Sequence, residues 1–465
     1  MSHAIDADTG RQAEILTPAA LSNLRDSKYL EMLIGVVGDP YDKATNPHGI
    51  VNMGIAMNTL NQPYLLEKLN SLSKVYAEDL DLTSLTGIEQ LQMAVAEHII
   101  NRHFNPHEPV TSKHIVLGNG TTALIDSYAF CVCEPGDAVI INSPHYTGFR
   151  DDFHLRARAV TVPVPIPIQE LDDPERVAIY YQDKIDELRA KGTRVRCIVV
   201  CNPGNPIGMT VQAILAVAEK NNLYVLCDEI YALSVFRTSQ DDDNDNEDGK
   251  TDPPLRHHPF TSVLSWDDLS NHIDPSRVAV IHGLSKDFGL SGFRVGWLIS
   301  PWNSMLLAAM HRISFFSIRP TMTDRMITGF LNDHQFVDTL IATNRRRLLA
   351  NYNLATEFLR KNSIPYVPSQ SGHFLWLDMR HIVARFKQGL LGHARDADIT
   401  FEDEIKYLEH LINDARVFIG LGRAFSAPVP GHYRLTFSIK PEELQVALSR
   451  IADDISAISG DSLLN

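Results

Sequence analysis

The chain has 465 residues, more than one ordinary core accommodates and enough for two linked domains. Its 44% hydrophobic and 21% charged residues exclude disordered and fibrous classes and fit a globular protein. With 42 basic against 57 acidic side chains the formal net charge is −15, which argues against nucleic acid or an anionic membrane surface as the main partner.

The N-terminal MSHAIDADTGRQAE is polar and lacks the apolar stretch of a secretory signal, and no apolar run is long enough to span a bilayer. The segment TGIEQLQMAVAEHIINRHF (86–104) carries apolar residues at helical spacing. HIVLGNG (114–120) reads as a short strand ending in glycines, and TALIDSYAFCVC after it as a helix. DAVIINSP (137–144) and RVRCIVVCNP (194–203) read as strands, VQAILAVAEKNN as a helix, and LYVLCDE (223–229) as the next strand. SQDDDNDNEDGKTDPP (239–254) is acidic and aperiodic, the pattern of a solvated surface insertion. RVAVIHGLSK (277–286) and RVGWLIS (294–300) are again strand-like. After about residue 330 the pattern changes to a long helix followed by strands FLWLDM and RLTFS. Alternating buried strands and helices predict a mostly parallel sheet with helices on both faces, an α/β fold. In such sheets ligands bind beyond the carboxyl ends of the strands.

Five cysteines, an odd number, all lie in apolar runs such as AFCVC and RCIVVC, as buried reduced thiols of a cytoplasmic protein would. No metal site is expected. The cysteines lack paired CxxC spacing, and His98, His103 and His107 do not share one helical face because Pro106 breaks the helix.

GNGTTA (118–123), SPHYTGF (143–149), NPGNPIG (202–208), DEIYA (228–232), SKDFGLSGFRVGW (285–297) and YRLTF (433–437) occur in that order. Together with NPHGIVNMGIAMNTL (46–60), the series resembles the class I/II aminotransferases of pyridoxal 5'-phosphate (PLP) fold type I. The nearer likeness is to the fungal-type 1-aminocyclopropane-1-carboxylate (ACC) synthase-like subgroup. The resemblance covers about residues 45–440. It implies an N-terminal arm (1–45), a large PLP-binding domain with a mostly parallel sheet (46–325, with the acidic insertion) and a smaller α+β domain (326–465).

The resemblance also implies roles. Lys286 forms the Schiff base and, once displaced by the substrate amine, removes the α-proton, after which a quinonoid forms. Asp228 pairs with the pyridinium nitrogen, while Tyr231 and Asn205 bond the ring's phenolic oxygen. Tyr146 stacks on the ring. The phosphate falls to Gly120 and Thr121 at a helix start, with Ser285 and Arg294. Arg434 grips the substrate's α-carboxylate, a two-pronged contact that suits Arg better than Lys, with Ala56 also on the substrate side.

Three positions depart from the ACC synthase pattern. Met57 stands where that family has Glu, Leu85 where a Tyr reaches the phosphate across a homodimer, and Gly283 where the first Ser of SLSK is usual. An aminotransferase acting on an amino-acid-type substrate is therefore the first expectation. A β-eliminating carbon–sulfur lyase, of the kind this subgroup includes in fungal specialised metabolism, is the alternative, and true ACC synthesis ranks below both. A PLP-binding regulator with an attached DNA-binding module is disfavoured, because only about 45 residues, not basic, precede the fold.

Overall fold

A computed structural model describes residues 15–23, 28–81, 87–206, 211–237, 260–391 and 398–459. Leu85 and the acidic 239–254 segment lie outside these residues. In chain order the strands are β1 (Val51–Met53), β2 (Ile115–Asn119), β3 (Ala138–Ser143), β4 (Val160–Pro165), β5 (Val195–Cys201) and β6 (Tyr224–Asp228). They continue as β7 (Val278–Gly283), β8 (Val295–Ile299), β9 (Tyr366–Val367), β10 (Phe374–Asp378), β11 (Val417–Leu421) and β12 (His432–Thr436).

Seven of them form one sheet in the order β2-β8-β7-β6-β5-β3-β4, and the other five form a second sheet, β1-β11-β12-β10-β9. In the larger sheet only β8 runs against its neighbours, β2 and β7. The predicted α/β class with a mostly parallel sheet is therefore the observed one. Its central strands are apolar on both faces because helices cover both. Along β5, Ile198 and Val200 enter one hydrophobic core, and Cys197 and Val199 the other; Val278 and Val280 alternate in the same way with Ala279 and Ile281 along β7. A separate core fills the space around the smaller sheet, where α2 (His334–Lys361), 28 residues long, packs Leu348, Tyr352 and Leu359. No described helix is long and apolar enough to cross a membrane.

Four strands are absent from the periodicity reading, the two-residue β9 among them. β4 carries Pro163 and Pro165 and is largely accessible, which suits the sheet edge it occupies, since proline cannot donate to a ladder. β1 has only three residues, and β11 (VFIGL) is one short apolar run among many. β1 pairs in parallel with β11, Val51 opposite Val417, so this segment completes the smaller sheet.

Because β8 is antiparallel, the start of β8 and the ends of β2 and β7 meet at one edge. Gly283 at the end of β7 lies opposite Gly296 on β8. A Cβ on Gly296 would stand 2.9 Å from Thr121 N and 3.0 Å from the Gly120 carbonyl carbon. Three backbones thus touch here: β7, β8 and the first turn of α1 (Gly120–Val132). Gly296→Ala is expected to lower stability by about 1–3 kcal/mol, the usual effect of overpacking against backbone that cannot yield. A denaturant melt checks it, and an unchanged midpoint contradicts the close packing.

Candidate active site

Six of the seven strands of the larger sheet deliver, at this edge, a residue singled out in the sequence. Gly120 and Thr121 follow β2, Tyr146 follows β3, Asn205 follows β5, Asp228 ends β6, Ser285 and Lys286 follow β7, and Arg294 precedes β8. The smaller sheet adds Arg434 from β12 and Ala56 from the stretch after β1.

Lys286 is the centre of the group. Its Nζ donates to the Ala56 carbonyl at 2.7 Å. Burial, with help from the Arg434 and Arg294 charges, pushes its ammonium down to about 8, while Asp228 opposes the shift. Asp228 is buried, and its Oδ1 accepts only the Ile230 N–H, at 3.2 Å, among the described residues. Desolvation drives its carboxyl up to about 7 against the pull of that N–H and of Lys286. A half-compensated acid and a half-compensated amine thus share one pocket, an arrangement characteristic of functional sites.

Arg434 is 4% exposed. Its Nη1 donates to Asn205 Oδ1 at 3.0 Å and its Nη2 to the Gly54 carbonyl at 2.6 Å, and the guanidinium lies 4.4 Å from the Phe425 ring. Its Nε is buried and without a partner among the described residues, a donor left over for an anion. Asn205, having given its carbonyl to Arg434, keeps its amide donors for something else. Tyr231 is fully buried, edge-on to His373 and Phe374 at 5.2 Å each. Tyr146 is half-buried over Gly148, edge-on to Phe149 at 5.3 Å, and burial raises its hydroxyl to about 12.

The second half of the site is a cradle at the start of α1. Gly120 has φ +78°, open to glycine without strain, and a Cβ there would stand 2.5 Å from Arg294 Nη2. Arg294 therefore lies flat against bare backbone, held by the Ser291 and Asn119 carbonyls at 3.0 and 3.3 Å. Asn119 makes no side-chain cap to the helix, so the first-turn N–H groups face a guanidinium-lined space suited to a dianion. Ser285 is buried beside it, with its carbonyl bonded by Ser291 Oγ at 2.9 Å.

These residues fit PLP. A phosphate cradle, a primary amine, a buried carboxyl and unspent amide donors lie on one sheet edge. Sequence reasoning missed four contributors. Asn58 donates to the Lys286 carbonyl at 3.2 Å and to Asn344 Oδ1 at 2.9 Å. Tyr29, from the N-terminal helix Lys28–Gly38, packs on Phe418 and feels the Arg434 charge. Asp287 and His373 are the other two. Only Asn58 and Asp287 lie within recognised motifs; nothing in the local pattern marks Tyr29 or His373.

The profile of the family "Aminotransferase class I and II" matches residues 78–451. The chain belongs to that family. An Aspergillus fumigatus protein described as "Probable aminotransferase gliI" is 31% identical over 412 residues, covering 86% of this chain and 88% of its own. The rice protein 1-aminocyclopropane-1-carboxylate synthase 4 is 30% identical over 433 residues, covering 89% of this chain and 84% of its own. Among solved structures, the Thermotoga maritima aspartate aminotransferase superposes with a TM-score of 0.69 at 20% identity, covering 95% of this chain and all of the other. The fold is therefore PLP fold type I. Members of the family depend on PLP, so PLP is the expected cofactor.

The lysine's environment has a thermodynamic consequence. In the folded, cofactor-free chain Lys286 releases its proton at about 8, against 10.5 when unfolded. The unfolded state binds more protons between those values, so this group's contribution makes stability rise with pH through that window. Lys286→Met is expected to stabilise the cofactor-free protein by roughly 1–3 kcal/mol below pH 8, a gain that fades toward pH 10.5. Thermal melts across pH read this directly, and a less stable variant at pH 7 contradicts the strained-amine description.

Proposed function

We propose that this protein is a PLP-dependent aminotransferase acting on an amino-acid substrate. The carrying observation is Lys286, an amine pushed down to about 8 between Asp228 and Arg434 at the strand ends. The cofactor, when bound, supplies an aldehyde for amine capture and a ring that accepts the electron pair released at the amino acid's α-carbon.

The chain's own residues do the rest. Lys286 Nζ, whose ammonium is pushed down to about 8, would be the amine that joins the aldehyde and, once released, the base at the substrate's α-proton. Asp228 would hold a proton on the ring nitrogen, since a carboxylate with one backbone partner gains most from an added cation. Asn205 and Tyr231 would donate to the phenolic oxygen, and Tyr146 would lie beside the ring. Gly120, Thr121, Ser285 and Arg294 would hold the phosphate. Arg434 takes the substrate carboxylate through Nε and an Nη group, with the Ala56 backbone closing that side.

The two-sheet division supports a large cofactor-binding domain and a smaller domain after about residue 325, to which β1 returns. Five unbonded cysteines, four of them buried, suit the cytoplasm. The resemblance to a family whose members share a phosphate contact across a dimer supports a homodimer, even though Leu85 cannot supply the hydroxyl of that family's Tyr.

A second reading, β-elimination at a carbon–sulfur bond, draws on the similarity to ACC synthases and on Met57. Its side chain is 39% exposed, an uncharged group where that family has a Glu. The two readings differ in their need for an acceptor. An amino donor with a keto acid should yield a new amino acid, whereas ammonia and a keto acid from the donor alone would replace the transferase reading with the lyase. Arg434→Lys is expected to raise KM for the amino acid by about 10- to 100-fold, the loss of one charge-assisted hydrogen bond. An unchanged KM removes Arg434 from carboxylate binding.

A further inference from the structure

Beneath Lys286 a buried polar chain crosses from one sheet to the other. Asp287, next in sequence and 2% exposed, accepts the Leu233 N–H at Oδ2 (2.9 Å) and the Ser234 hydroxyl at Oδ1 (2.5 Å). His282 Nε2, from the end of β7, lies 2.9 Å from the same Oδ2. The Ser234 hydroxyl, having spent its proton on Asp287, can only accept from His373 Nε2, at 3.1 Å. This fixes the tautomer of His373, with its proton on Nε2 and a bare, buried Nδ1 that has no partner among the described residues. The His373 ring then meets Tyr231 edge-on at 5.2 Å. The loop closes on itself. Lys286 is bonded to Asp287 along the chain, Asp287 to Ser234, Ser234 to His373, and His373 packs back on the ring whose turn Asp287 already holds.

The other contacts of the turn hold it from outside. Arg345 from α2 donates to the Leu233 carbonyl at 2.9 Å, and Gly372 N–H donates to the Ser234 carbonyl at 3.1 Å. Phe374, the neighbour of His373, supplies the second ring edge on Tyr231. The hydroxyl of Tyr231 has no protein hydrogen bond among the described residues, so its direction is set entirely by these rings and by the turn that carries it. A residue that acts by donating from a rotatable phenol needs such bracing, because small displacements weaken a hydrogen bond steeply.

We propose that Asp287, Ser234 and His373 are positioning residues for the amino-transfer site, a buried chain that locks Tyr231 in register with Lys286. The inference rests on the reading that Lys286 carries the cofactor and Tyr231 bonds its phenolic oxygen. A bond donated to that oxygen makes it a poorer acceptor for the proton on the neighbouring nitrogen of the Lys286 linkage. Loosening Tyr231 therefore raises the pH at which that proton leaves.

The test uses PLP-loaded enzyme without substrate and reads the pH midpoint of its visible band. Ser234→Ala and His373→Phe are each expected to raise the midpoint by about one pH unit, the equivalent of roughly one net hydrogen bond. The double variant is expected to go no further, since the residues act as one chain. His373→Gln, whose side-chain amide can donate to Ser234 in place of Nε2, is expected to restore the wild-type midpoint. Wild-type midpoints in Ser234→Ala and His373→Phe, or a His373→Gln variant that matches His373→Phe, would overturn the proposal. If one of these variants does not fold, the contrast of Ser234→Ala with Ser234→Thr, which keeps the hydroxyl, decides by the same criterion. Borohydride labelling of Lys286 in the wild-type protein separates the two levels: without label the functional reading fails, whereas label with unmoved midpoints sinks the positioning chain alone.

Discussion

Lys286 Nζ has one hydrogen-bond partner among the described residues, the Ala56 carbonyl at 2.7 Å, in surroundings that disfavour its charge. A protein free to optimise stability would not leave an amine there, since buried cationic groups lower stability unless paired. Much of the architecture can be read as what keeps that amine available. Asp228 stands close enough to act on it electrostatically but forms no ion pair with it, and its own carboxyl is pushed up to about 7. The close approach of Gly283, Gly296 and Gly120 draws the anion cradle against the same strand ends. Such an arrangement persists where the surrounding packing over-determines it, here through a hydrophobic core on each face of the larger sheet, one around the smaller sheet, and a small cluster of Ala56, Ile230, Tyr231 and Phe374 that joins the two.

The division of labour between the sheets follows from the same constraint. The residues proposed for the cofactor come from the larger sheet, whose parallel strands all end at one edge. Arg434, proposed for the substrate, comes from β12 of the smaller one, yet it reaches Asn205 at 3.0 Å and the Gly54 carbonyl at 2.6 Å. Segment 228–237 spans the gap, starting at Asp228 on β6 and ending where Val235 bridges to Ser371 beside β10. Asp228 and a bridge to the smaller sheet therefore lie on one stretch of backbone, so a shift between the sheets would be felt at Asp228.

The motif residues were legible because their chemistry is narrow. A lysine, an aspartate and two arginines at the ends of buried strands have few other uses, and their order along the chain carried the family resemblance. The large sheet was legible from runs such as RVRCIVVC, where apolar faces on both sides leave little ambiguity. β1 and β11 were not legible, since short strands depend on partners hundreds of residues away, and the prolines in β4 argued locally against a strand that the sheet edge tolerates. Tyr29 and His373 were invisible for a related reason. Each matters through a contact made across the fold, the Arg434 field for one and a hydroxyl on another turn for the other. Gly283 is a partial case: as a departure from the family's Ser it suggested a lost hydroxyl, whereas the structure shows a backbone approach that a Cβ would crowd at 2.9 Å.

The central claim is the identity of the anchoring amine, and the most direct measurement is reduction of the PLP-loaded protein with borohydride followed by peptide mapping. The account predicts that the visible band disappears and that the cofactor stays on the peptide containing Lys286, with no incorporation in Lys286→Met. Label on another lysine, or equal labelling of the Lys286→Met protein, would contradict it.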